Sequence, residues 1–303
     1  MEAFSSRLVE LGPVDATGNL NSEAIALAVI EAGQGGRPLL ALHGFTGAKE
    51  DFLDTLGPLA DQGWHAVSAD LRGHGASSAP LGQENYSFGI LTEDIGRLIQ
   101  ALGWSSCVVI GHSMGGILAQ RLTIQQPDVV DALVLLDTFC GPVLDVEIQL
   151  VQLGSAIVAS AGMAALADAM AALREAQPLS SAVDVAALSD AHRDYTRAKL
   201  LATSPDLWLA LAPRFLSLEP WGNDLRAIRV PTAVVVGQHD ASSMGYSHEI
   251  AQVIRGARLE VIAGAGHSPQ FEAPEAWWSV LSEFLEVVAD SLSDDEARRS
   301  RRG

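Results

Sequence analysis

Lysine is almost absent from this 303-residue chain: Lys49 and Lys199 are the only two. All cations together number 19 against 37 acids, a net charge of −18. Nucleic acids and anionic membranes are bound by Lys and Arg that neutralise phosphates, so neither is expected as a partner. Cysteine is equally scarce. Cys107 and Cys140 cannot build a disulfide framework, and Cys107, inside Ser-Ser-Cys-Val-Val-Ile, reads as an inert core residue of a buried strand. The N-terminus, Met1 to Arg7, lacks the basic and apolar segments of a secretory signal. The longest near-apolar stretch, Ser155 to Leu173, is broken by Asp168 and rich in Ala and Gly, which suits a buried helix better than a membrane span. These absences describe a soluble cytoplasmic protein. What is abundant is apolar: 48% of residues, enough to fill a large core and to exclude a disordered chain.

Apolar runs alternate with helical patterns from the start. Strands are expected at Ala24–Glu31, Pro38–Leu42, Trp64–Ala69, Cys107–Ile110, Ala132–Leu136, Ala233–Val236 and Leu259–Ile262. Helices are expected at Glu50–Gln62, Tyr86–Leu102, Met114–Gln126, Ser247–Arg255 and Pro274–Val288. Short strands without strict apolar–polar alternation, each followed by a helix, predict an α/β fold with a doubly wound, mostly parallel sheet. Between Phe139 and Leu225 no strand-like run occurs. That segment is Ala/Leu-rich, with breaks expected at Pro178, Pro205, Pro213 and Pro220. The reading is a core formed by residues 1–138 and 226–290, a helical cap at 139–225 over the strand C-termini, and a frayed tail at 291–303.

The strongest local signal is Gly111-His112-Ser113-Met114-Gly115-Gly116, directly after one strand and directly before a helix. G-x-S-x-G in that context is a nucleophile elbow, a turn so tight that its flanking positions tolerate no Cβ. Ser113 needs a base, and the base needs an acid to orient it. His267, in Gly-Ala-Gly-His-Ser-Pro just past a strand, suits the base. Asp240, in Val-Gly-Gln-His-Asp, is the favoured acid, and Asp137, at the same place one strand earlier, is its rival. Backbone N–H groups of Met114 and Phe45 are the expected oxyanion donors, with Gly44 permitting close approach. Gly44, Phe139, Trp208 and Phe215 are candidate substrate contacts. The chemistry needs no metal and no organic cofactor.

These motifs resemble the α/β-hydrolase superfamily, in order and spacing, from about Ala24 to Val288. Asp70-Leu-Arg-Gly-His-Gly-x-Ser is similar to the subgroup of capped esterases, haloperoxidase-like enzymes and carbon–carbon bond hydrolases. The resemblance implies structural roles for Arg72 and His74. Haloalkane dehalogenases and epoxide hydrolases place Asp at the nucleophile position, where this chain has Ser113. Leu42 to Phe52 resembles the menaquinone-pathway cyclohexadiene synthase. That enzyme carries an arginine four residues after its serine, at the position of Ile117 here. The expected activity is hydrolysis of a carboxylic ester of a small, largely apolar molecule. Carbon–carbon bond cleavage or lactone hydrolysis with the same triad is the alternative, and a slowly turning-over receptor is a further one.

Overall fold

The computed structural model describes residues 4–12, 25–143, 148–176 and 189–300. The chain runs β1 (Ser5–Leu11), β2 (Ile25–Ala32), β3 (Arg37–Leu42), α1 (Leu53–Asp61), β4 (Trp64–Ala69), α2 (Phe88–Ala101), β5 (Cys107–His112), α3 (Met114–Gln125) and β6 (Val130–Leu136). After these come α4 (Ile148–Ala176), α5 (Asp190–Leu201), α6 (Pro205–Phe215), β7 (Thr232–Gly237), α7 (Ala241–Val253), β8 (Arg258–Ile262), α8 (Pro269–Glu272) and α9 (Pro274–Ser300). The sheet has the order β1-β2-β4-β3-β5-β6-β7-β8. β1 and β2 are antiparallel to their neighbours, and every pair from β4 to β8 is parallel.

The pleat sorts side chains onto two faces. Leu39, Val108, Val134 and Val235 point to one face, where Leu56 and Leu59 of α1 and Trp277, Leu281 and Leu285 of α9 bury them. Leu40, Val109, Leu133 and Val234 point to the other, under Leu91 and Ile95 of α2, Ile117 of α3 and Ile250 of α7. Strands buried on both faces read as continuous apolar runs, and so they do here. β1 escapes that logic because it is an edge strand. Only Val9 and Leu11 are buried, and Ser5, Arg7 and Glu10 face outward or pair with Glu31.

Of the helices described between β6 and β7, α5 and α6 reach loops that follow the C-termini of β3, β4 and β8, and α4 packs on them. Ser204 N–H donates to Gly73 O at 2.7 Å, and the rings of His192 and Tyr195 pack on Phe271. Leu207 and Leu211 of α6 belong to the main core cluster, whereas Val158, Met163, Leu166 and Ala167 of α4 and Leu200 of α5 form a small cluster of their own. Asp51, buried just after β3, accepts from Lys199 Nζ at 2.7 Å and from Tyr195 OH at 2.6 Å. Burial alone would raise the Asp51 pKa, but the charge of Lys199 and these hydrogen bonds keep it below the usual range.

Three expectations need correction. Ser155–Leu173 is not a buried helix: Ala156, Ala159, Ala161, Ala164, Ala172 and Leu173 are exposed, and Ile148–Leu173 is by length and composition apolar enough to cross a membrane. Its exposed positions are mostly Ala, which costs little in water, so composition did not reveal the exposure. Pro213 does not break a helix. It sits in the last turns of α6, which Ser204 caps and Leu207 and Leu211 anchor. The third concerns the end of the chain: α9 continues to Ser300, because Leu292 packs on the core and Ser293 Oγ accepts from Arg37 Nη2 at 2.8 Å. Pro178 lies outside the described residues.

Removing Asp51 strands a buried lysine. Asp51→Ala is expected to lower stability by about 3 kcal/mol, read as a lower urea midpoint. Adding Lys199→Met should restore most of that loss.

Candidate active site

Helix α3 begins as close to β5 as a chain allows. Ser113, between them, has φ 51° and ψ −114°, outside the regions L-residues ordinarily occupy. Glycines make the conformation possible. A Cβ on Gly115 would lie 2.3 Å from Leu42 O, and one on Gly111 would lie 2.5 Å from Gly115 O. The bend is held by Ser113 N–H donating to Leu136 O at 2.9 Å and by Thr138 Oγ donating to Ser113 O at 2.7 Å. Ser113 is left half-buried at the top of the sheet, at a helix N-terminus that favours developing negative charge.

His267 and Asp240 come from neighbouring strand ends, after β8 and β7. His267 Nδ1–H donates to Asp240 Oδ2 at 2.7 Å. Asp240 is buried and caps α7, accepting from Ser242 N–H at 3.2 Å and Ser243 N–H at 3.3 Å as well as from both serine hydroxyls. Burial pushes its pKa up. The hydrogen bond and charge of His267, with the two serines, outweigh that and hold it well below the usual carboxylate range. The His267 side chain keeps 42% of its surface open, so the far side of its ring is reachable. Of the two acids weighed from sequence, Asp240 is the one hydrogen-bonded to His267.

Three other histidines hold the loops. His112 Nε2–H donates to His267 O at 2.7 Å, which ties the loop after β8 to the elbow. Burial and the nearby His267 push the His112 pKa down to about 3, so it is neutral at pH 7. His43 Nε2 accepts from Leu71 N–H at 3.0 Å, which puts the proton on Nδ1, where it bonds Gly44 O at 2.7 Å. His74 Nε2 bonds Phe45 O at 2.5 Å, and burial lowers its pKa to about 4. A peptide's C=O and N–H point in opposite directions. His43, by holding the Gly44 carbonyl, therefore turns the Phe45 N–H the other way. Neither that N–H nor Met114 N–H donates to any described residue, so both remain available. Gly44 itself lies against the elbow: a Cβ there would be 3.2 Å from His112 Nδ1 and 3.3 Å from Ser113 Cβ.

The aromatic candidates divide into two groups. Phe45 packs on Trp208 at 5.2 Å and on Phe215 at 5.0 Å between ring centroids, joining core and insertion in one wall. Phe139, buried, sits 6.1 Å from the His267 ring and 5.9 Å from Tyr246. Arg72 makes a two-pronged pair with Asp94 at 2.6 and 2.8 Å and touches none of these groups. Sequence reading did not assign the loop-holding roles of His43 and His112, nor the contact of Thr138 with Ser113. The one visible signal was their adjacency to the motif glycines and serine.

A family model described as alpha/beta hydrolase fold matches residues 37–274. The chain belongs to that family. As an alpha/beta hydrolase it is a hydrolytic enzyme by fold and by its relatives. A Bacillus subtilis (strain 168) protein with the provisional name 2-succinyl-6-hydroxy-2,4-cyclohexadiene-1-carboxylate synthase is 28% identical over 280 residues, covering 88% of this chain and 97% of that protein. A Danio rerio serine hydrolase-like protein is 40% identical over 104 residues, 34% of this chain and 32% of that protein, so the match spans about a third of its length. Among solved structures, a thermophilic esterase from Thermogutta terrifontis is 26% identical with a TM-score of 0.77, covering 93% of this chain and 99% of that one.

In this alpha/beta hydrolase the elbow has no room for a methyl group. Gly115→Ala is expected to cost about 3 kcal/mol, since the added carbon meets backbone on the neighbouring strand rather than a movable side chain. Chemical denaturation against Gly245→Ala, where an added Cβ meets open space, measures it.

Proposed function

We propose that the chain is a serine hydrolase that cleaves carboxylic esters of small, largely apolar molecules through an acyl-enzyme. The observation that carries the reading is the His267–Asp240 hydrogen bond at 2.7 Å beside a serine held on the elbow. Asp240 keeps the proton on Nδ1, so Nε2 is a free base. Nε2 takes the Ser113 proton as Oγ attacks the ester carbonyl. The charge that develops on the carbonyl oxygen falls between the N–H groups of Phe45 and Met114, worth roughly 3 kcal/mol each. His267 then protonates the leaving alcohol, and afterwards activates the water that clears the acyl group. Ser113 Oγ and His267 Nε2 are not hydrogen-bonded at rest, as is common before substrate binds.

The apolar preference rests on the wall. Phe45, Trp208 and Phe215 pack together and Phe139 lies beside His267, and both lysines are already paired, Lys49 with Asp70 and Glu50 and Lys199 with Asp51. The helical insertion serves as the cap over this site. Carbon–carbon bond cleavage with the same triad is the second reading, and the full-length match to the Bacillus subtilis synthase supports a substrate other than a simple ester. Against it stands Ile117, fully buried where the resembling synthase carries arginine, which leaves a substrate carboxylate without that partner.

Ser113→Ala should lower turnover of short-chain nitrophenyl esters by at least about a thousandfold and abolish fluorophosphonate labelling. Wild-type protein that labels yet ignores esters and lactones, while cleaving a vinylogous diketone, would favour the second reading. Undiminished ester turnover in the variant would sink both.

A further inference from the structure

A second carboxyl group lies behind Asp240. Asp137 follows β6 with φ 44°, in the left-handed region that non-glycine residues seldom occupy. Its N–H donates to Val235 O at 2.9 Å, and its Oδ1 accepts from Gly237 N–H at 2.9 Å, so β7 grips it from two directions. The residue is fully buried, and Oδ2 has no partner. One oxygen of Asp137, one of Asp240 and one nitrogen of His267 all lie within 4.8 Å of one another. Ser243 links the two acids, with Oγ 3.5 Å from Asp137 Oδ1 and in short contact with Asp240 Oδ2.

Two carboxylates this close and this dry do not both ionise. Asp240 has His267 and two serines to stabilise its charge, whereas Asp137 has one backbone N–H and, at 3.5 Å, the Ser243 hydroxyl it shares with Asp240. The charged groups facing Asp137 are Asp240 and Glu272, with His267 beyond Asp240, and among the described residues no lysine or arginine pairs with it. Burial and the two acids push its pKa well above the usual range, against the lowering from Gly237 N–H.

We propose that Asp137 is a neutral carboxylic acid whose O–H donates into the Asp240–Ser243 oxygens, making it a positioning residue behind the acid–base pair. The inference rests on Asp240 and His267 being that pair. A neutral acid explains how two buried acids stand within 4.8 Å of one another, since an O–H aimed at Asp240 or Ser243 is a donor where a second carboxylate would be a repulsion. It also limits how strongly Asp240 holds a proton on His267, because an anion that accepts one more hydrogen bond is a weaker partner.

Infrared difference spectra of the full chain, wild type minus Asp137→Asn at pH 7, should contain the C=O stretch of a protonated carboxyl. A carboxylate band in its place overturns the proposal. This readout needs no turnover, so it stands apart from the Ser113→Ala test of the triad. The acidic limb of the kcat/KM profile on a nitrophenyl ester gives the second arm. Asn at 137 supplies an N–H in place of the O–H and should hold the limb at its wild-type pH. Asp137→Leu removes the donor, strengthens the hold of Asp240 on the imidazolium, and should move the limb up by about half a unit. Were Asp137 ionised, Asp137→Asn would delete a negative charge beside His267, and the limb would move down by about one unit. That downward shift also overturns the proposal.

Discussion

Everything at the candidate site depends on one close approach: the first turn of α3 against the end of β3. The 2.3 Å that would separate a Gly115 Cβ from Leu42 O means that helix and strand touch backbone to backbone. That contact sets where Ser113 stands and forces its left-handed φ. It also brings the loop after β3 beside the elbow, so that Gly44 and Phe45 face the same space as Ser113. Without it the serine would be an ordinary helix cap, and the two N–H donors would belong to different parts of the surface.

Around this contact the protein uses neutral histidines as hydrogen-bonding struts. His43, His74 and His112 each hold a backbone carbonyl, at Gly44, Phe45 and His267. Their burial keeps them uncharged at neutral pH, so they fix three loops without placing a charge of their own beside His267. Acid handling is concentrated on the other side of His267, where the carboxylates gather. The site is thus divided between a side that positions and a side that carries charge.

Much of this was legible in the chain. Seven of the eight described strands lie where apolar runs predict them; the parallel strands β3 to β7, covered on both faces, are near-continuously apolar, whereas the edge strand β8 buries only Ile262. Gly111, Ser113 and Gly115 announced the elbow through a steric demand that few residues can meet. Asp240 and His267 were legible through their places after predicted strands. What escaped detection depended on pairings that no local pattern encodes. β1 is an edge strand with two buried residues, so its composition resembles a loop. α7 starts at Ala241 rather than Ser247, since its first turn, Ala-Ser-Ser-Met-Gly, is a poor helix former stabilised by the Asp240 cap. The link from Lys199 and Tyr195 to Asp51 spans nearly 150 residues. A chain with two lysines gave no hint that one of them would be buried on an acid near the site.

The division of the insertion between two apolar clusters bears on how such proteins exchange parts. α4 and α5 have a small cluster of their own, while α6 sends Leu207 and Leu211 into the main core. A graft replacing everything between β6 and β7 would leave a hole in the sheet's own packing, whereas one that ends before Ser204 would keep α6 in place. For recombination α6 therefore belongs with the sheet, and any graft ending before Ser204 must still supply partners for Trp208 and Leu209, on which the α4–α5 cluster packs.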